Sequence, residues 1–124
     1  MRSSRRSTWC SGPVRPVEEA VGIHVYRVLQ EALSNVTRHS GATRVEVRLR
    51  FTPASLEIEV EDNGCGIGAG TPRRGLGIFG MRERAAIIGG TLTFARSVDD
   101  RGTLVRLLVP LPAISAIAAK AHAS

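Results

Sequence analysis

The chain has 124 residues, 43% hydrophobic, 23% charged and 4% aromatic. That is the balance of a soluble globular protein with one domain and an aliphatic core, not of a disordered segment. The net charge of +6 raises nucleic acid as a partner, but four of the 17 basic residues (Arg2, Arg5, Arg6, Arg15) precede Val17 and no acid does. The rest is nearly balanced against its 11 acids, too neutral for a phosphate-binding face on charge alone.

No apolar run approaches the roughly 18 residues of a membrane-spanning helix, and the Arg-rich start lacks an apolar signal core, so the chain reads as cytoplasmic. Residues 1–16, MRSSRRSTWCSGPVRP, combine Arg, Ser, Gly and Pro without apolar periodicity. They predict a disordered or linker-like lead-in, followed by one domain over residues 17–112. Cys10 and Cys65 have neither metal-site spacing nor the density of a disulfide scaffold, so both are expected as free thiols in a reducing compartment.

From Val17 the pattern changes. Val21, Val25, Val28, Leu29, Ala32, Leu33 and Val36 recur at intervals of three and four, which predicts an amphipathic helix ending near His39, before Ser40 and Gly41. Next, TRVEVRLRF and SLEIEVED alternate apolar with charged residues, the period of a half-buried strand. The first has a basic outer face and the second an acidic one, so antiparallel pairing sets opposite charges side by side. A glycine-rich stretch, NGCGIGAGTPRRGLGIFG, leads into a second helix from about Ile78 to Ile88 that stops at Gly89-Gly90. TLTFARS and GTLVRLLVPLP supply two more strands joined through VDDRG, and residues 113–124 form an Ala-rich tail. Helices on one face of a mainly antiparallel sheet are the economical packing for this order.

Three places could carry chemistry. Glu31 and Asn35 are four apart on the first helix and share a face at the border of its apolar stripe, with Arg27 and Arg38 further round. Oxygen ligands suit Mg2+ and guanidinium suits phosphate, although taken alone this helix favours an ordinary solvated face with i, i+4 pairs. Asp62 ends the second strand, where its carboxylate could accept from an exocyclic amino group such as that of adenine or simply close an Asx turn. Gly64, Gly66 and Gly68 alternate beyond what one turn needs, and Gly75, Gly77 and Gly80 precede a helix whose amides could bind phosphate. GLGIFG is not a dinucleotide fingerprint, because it follows a loop rather than a strand. No Walker A pattern is present.

Taken together and in this order, QEALSNVTRHS, VEDNGCGI and GLGIFGM resemble the N, G1 and G2 boxes of the ATP-binding domain shared by sensor histidine kinases, gyrase, Hsp90 and MutL. YRVLQEALSNVTRHSGA and GLGIFGMRERAAIIGG are most similar to the nitrate-sensor and DesK-like branch of the histidine kinases. The resemblance covers about Val17 to Leu111. It implies a Bergerat-type α/β (α+β) sandwich, with a mixed, mainly antiparallel sheet and helices on one face, that binds ATP and Mg2+. By that resemblance Asn35 would ligand the Mg2+, Glu31 would hold the position of the family's N-box acid, and Arg38 and His39 would lie near phosphate. Asp62 would accept from adenine, Gly64 and Gly66 would allow its approach, and Thr103 would support the base through water. Residues 68–74 would form the ATP lid, with Gly75, Leu76 and Gly77 at its hinge.

Such kinases phosphorylate a histidine on a separate dimerising helical hairpin and pass the group to a response regulator. None of His24, His39 or His122 is followed by an acid. The expectation is therefore a monomeric catalytic piece that lacks its own phosphoacceptor, in a kinase whose full length is open to membrane anchoring. An anti-sigma-factor-type serine kinase with the same pocket is the alternative, and a basic nucleic-acid or protein interaction module the more distant one.

Overall fold

A computed structural model describes residues 5–66, 77–97 and 101–112. In chain order its elements are β1 Arg5–Ser11, α1 Glu19–Asn35, β2 Arg44–Phe51, β3 Ser55–Asp62, α2 Ile78–Ile87, β4 Thr91–Arg96 and β5 Thr103–Pro110. They form a mixed five-stranded sheet in the order β1-β2-β3-β5-β4, antiparallel except for β1 beside β2. The expected α+β sandwich is what the chain adopts.

The apolar spacing of α1 buries one stripe. Val28 and Ala32 lie inside the core, and Val21, Val25, Leu29, Leu33 and Val36 pack at its margin. From α2, Met81 and Ala85, one turn apart, are buried as well. Both helices cover the sheet face made by Val45, Val47, Leu56, Ile58, Val60, Val105, Leu107 and Val109. Leu107 and Val109 are almost wholly buried, and each such side chain contributes roughly 1.5–3 kcal/mol relative to exposure. Beyond Asn35 the helix widens into a π-type turn over Val36–Ser40, and Gly41 at φ 64° ends it in a left-handed conformation that costs glycine little.

The opposite face carries the charges. Arg48 pairs with Glu59 and Arg50 with Glu57 across the β2–β3 hairpin, as the alternation predicts. Glu46 stands opposite Glu61, a repulsive pairing by itself. Arg48 resolves it by donating to Glu46, Glu59 and Glu61 at 2.8, 3.0 and 2.7 Å.

The lead-in departs from expectation. Arg5–Ser11 forms the edge strand β1 instead of remaining irregular. Residues after it are tied down too. A Cβ on Gly12 would lie 2.1 Å from Phe51 O, and Arg15 donates to Pro112 O at 2.8 Å and Thr52 O at 3.0 Å. Backbone ladder bonds and close main-chain packing hold this segment, so an apolar pattern was never required of it. The Ala-rich tail, the expected ATP lid over 68–74, Gly75 and Leu76 lie outside the described residues.

Candidate functional site

The helical and strand contributions meet at the end of the sheet where β3 stops. Along α1, Glu31 reaches the start of α2. A Cβ on Gly77, which has φ +65°, would sit 2.5 Å from Glu31 Oε1. The carboxylate thus faces a helix N-terminus, whose exposed amides favour negative charge. Arg38 Nη2 lies 3.5 Å from Glu31 Oε1, a half-exposed pair worth little in stability that keeps the guanidinium on the same side. Asn35, one turn after Glu31, has its Oδ1 out of reach of solvent. His39 falls in the π-type turn, and its side chain is outside the described set.

At the sheet, Asp62 is only 6% exposed. Gly64 N–H donates to Asp62 Oδ1 at 2.7 Å, and the Thr103 backbone amide donates to the same carboxylate. The Asx turn and the buried carboxylate are therefore both real. Burial pushes the Asp62 carboxyl above its ordinary value; the two amides pull it down and neighbouring Glu61 adds to the rise. Asn63 stitches this corner to β2, its Oδ1 accepting from Thr43 and Arg44 N–H at 3.0 and 2.9 Å and its Nδ2 donating to Thr43 Oγ1 at 2.9 Å.

The two clusters are joined through the end of α1. Cys65 N–H donates to Ser40 O at 2.9 Å, and a Cβ on Gly64 would lie 2.3 Å from that same oxygen. Gly64 is thus needed for the loop to pack on the helix end, a close approach of protein to protein. Gly66, at φ +87°, faces Arg101 O. A cleft of about 610 Å3 opens beside this junction, lined by Ser40, Gly41, Thr43, Asn63, Gly64, Cys65 and Arg101. The structure thus brings Asp62, Gly64 and Thr103 together, places Glu31, Arg38 and Gly77 together, and sets Asn35 on the helix between Glu31 and Ser40. Motif reading missed Gly102, where a Cβ would lie 1.7 Å from Asp62 O; its only signal was the Gly-Thr pair that opens the last strand. Cys10 and Cys65 are exposed, and neither forms a disulfide among the described residues.

A family described as "Histidine kinase-, DNA gyrase B-, and HSP90-like ATPase" matches residues 20–113. The chain belongs to this family. Among relatives in sequence, the oxygen sensor histidine kinase NreB of Staphylococcus carnosus is 42% identical over 70% of this chain and 25% of its own length. The sensor histidine kinase LiaS of Bacillus subtilis is 38% identical over 77% of this chain and 26% of its own. The chain thus spans about a quarter of the kinases it matches. In structure, the ATP binding domain of PrrB from Mycobacterium tuberculosis aligns with a TM-score of 0.57 at 28% identity, covering 73% of this chain and 68% of that one. The catalytic domain of histidine kinase ThkA aligns with a TM-score of 0.70 at 16% identity, covering 85% and 76%, and so speaks to the fold alone. The sequence relatives agree with the nitrate-sensor and DesK-like branch of this histidine kinase-like ATPase family and do not favour the serine-kinase alternative. Among the described residues no helix is long and apolar enough to cross a membrane.

Proposed function

We propose that this domain binds Mg-ATP and donates the γ-phosphoryl group to a histidine on a dimerisation domain supplied by the rest of a longer kinase or by a partner, for onward transfer to a response regulator. In that step the bond from the γ-phosphorus to its bridging oxygen breaks, a phosphorus–nitrogen bond to the imidazole forms, and ADP leaves. The observation that carries the reading is Asp62: a buried carboxylate, fixed by two backbone amides, in a family of ATPases. An acceptor-only group held at one angle in a nearly dry corner discriminates for an exocyclic amine, because a wrongly matched base leaves it unpaired. Thr103, 6% exposed on the adjoining strand, supports the base.

The α1 face serves the phosphates. The Asn35 carboxamide oxygen fits a hard cation. Among the described residues no group of three or more His, Cys, Asp or Glu could hold a metal, so a Mg2+ here would draw most of its ligands from phosphate and water, neutralising charge between the phosphoryl groups when bound. Arg38 and His39 lie on the turn that follows Asn35 and are the residues that would serve the same anions. Glu31 faces the start of α2 at Gly77, where Gly75, Leu76 and Gly77 would serve as the hinge of the lid. Such a domain works in the cytoplasm, where ATP is supplied, with any membrane anchor belonging to other parts of the kinase.

Calorimetric titration with a non-hydrolysable ATP analogue, with and without Mg2+ and beside the GTP analogue, tests this reading. Adenine-selective, Mg2+-enhanced binding is expected. Equal binding of both purines, or none, would overturn it.

A further inference from the structure

Ser97 leaves the end of β4 and is 6% exposed, an unusual depth for a serine in a hairpin connection. Its hydroxyl donates to Glu61 Oε2 at 2.6 Å, a short, charge-assisted bond. Its backbone N–H donates to Gly102 O at 3.1 Å, closing the connection on itself. The other oxygen of Glu61 accepts from Arg48 Nη2 at 2.7 Å, and Arg48 is held by Glu46 and Glu59. The β4–β5 connection is therefore tied by a side chain to β3 one residue before Asp62.

What the tie holds in place is the backbone over the acceptor. Gly102 lies so close to the Asp62 peptide that a Cβ there would come within 2.6 Å of Asp62 C and 3.0 Å of Asn63 Cα. The next residue, Thr103, delivers its amide to the Asp62 carboxylate. If the connection lifts, that donor moves and the carboxylate loses half of what orients it. The Ser97–Glu61 bond lies on the charged face of the sheet and Asp62 on the helix-covered one, since β3 alternates its side chains. The effect must then pass through the backbone.

We propose that Ser97 and Glu61 are a positioning pair for base recognition: their hydrogen bond clamps the β4–β5 connection onto β3, so that Thr103 N–H sets the angle at which Asp62 meets the exocyclic amino group of an adenine nucleotide. This rests on the reading of Asp62 given above. A purely structural tie would lower thermal stability and affect all nucleotides alike. A positioning pair acts on the base and spares the phosphates.

The test compares the full chain with Ser97→Ala, Ser97→Thr and Glu61→Gln. Each is titrated with non-hydrolysable analogues of ATP and of inosine triphosphate, which carries a carbonyl in place of the amino group, and hydrogen exchange at the Thr103 amide is followed without nucleotide. Ser97→Ala should weaken the ATP analogue about tenfold, the usual order for one hydrogen bond to a charged group, leave the inosine analogue unchanged, and speed Thr103 exchange by a similar factor. Ser97→Thr, which restores the hydroxyl, should return both readouts toward wild type. Equal loss of both nucleotides, or unchanged Thr103 exchange, would overturn the pair. If Ser97→Ala fails to fold, Glu61→Gln decides by the same two readouts. A wild-type chain that binds no adenine nucleotide would instead refute the reading of Asp62, while Thr103 exchange in the variants would still accept or reject the clamp.

Discussion

Replacing Asp62 by Asn changes one oxygen to an amino group at nearly constant shape, so the perturbation separates folding from recognition. In the fold, the carboxylate loses charge that burial disfavours, and its bonds from Gly64 and Thr103 become neutral. These effects oppose each other, and the expected net change in stability is within about 1 kcal/mol. In recognition nothing compensates. With the carboxamide oxygen kept by the two backbone amides, the amino group faces the adenine amine, donor against donor. Loss of a hydrogen bond to a charged acceptor is worth about 1.5–3 kcal/mol, or roughly 10- to 100-fold in affinity. Calorimetry with the ATP and inosine triphosphate analogues, beside a thermal melt, measures both terms. Asp62→Asn should lose the adenine preference, because its amino group can donate to the inosine carbonyl. An adenine preference retained within about twofold in a variant that melts normally would refute the argument that Asp62 reads the base.

Through the same carboxylate, adenine binding should depend on pH. Burial raises its pKa above the ordinary 3.8, so the folded chain holds that proton more tightly than the unfolded one; Asp62 by itself stabilises the fold as pH falls through its folded pKa toward 3.8 and costs stability above it. Adenine affinity runs the other way, falling as pH drops through the raised pKa, and Asp62→Asn should flatten that limb in a calorimetric pH series. Gly77→Ala places a Cβ against Glu31 in a left-handed conformation and should destabilise by about 1–2 kcal/mol, with Glu31→Ala in the same chain relieving only the contact and not the backbone term; urea melts of the single and double variants check this. Gly102→Ala meets main chain, not a movable side chain, and should cost at least about 3 kcal/mol by overpacking and abolish nucleotide binding. Arg15→Ala removes two hydrogen bonds to Pro112 and Thr52 and should lower stability by about 1–3 kcal/mol without changing nucleotide affinity.

The elements legible in the sequence were those whose own residues carry the reason for them. Val28 and Ala32 in α1, Met81 and Ala85 in α2, and the alternating β2, β3 and β5 bury what their periodicity says they should. The charge pairing of Arg48 with Glu59 followed from the same alternation. β1 was illegible because Arg5–Ser11 is an edge strand in which Ser7 is half-buried and Thr8 to Ser11 are exposed; its reason for existing lies in β2. At the candidate site, Asp62 and the glycines could be picked out by type and order. The need for Gly64 to clear Ser40, or for Gly102 to lie on the Asp62 peptide, depends on contacts between segments 24 and 40 residues apart in the numbering, which no local pattern encodes. Ser97 carried no signal at all, being one more serine beside a turn.

The direction of β1 has a mechanical consequence. Because it runs parallel to β2 with Arg5 opposite Arg44, and the next pair along β2 sets Val45 against Asp62, β1 starts at the pole of the sheet where the Asp62 carboxylate lies. β5 runs from Thr103 beside that carboxylate to Pro110 opposite Ser55, so the chain departs from the far pole. A tension or twist put on the start of β1 would reach the Asp62 corner through one strand, whereas a load put on the end of β5 would first have to cross the length of the sheet.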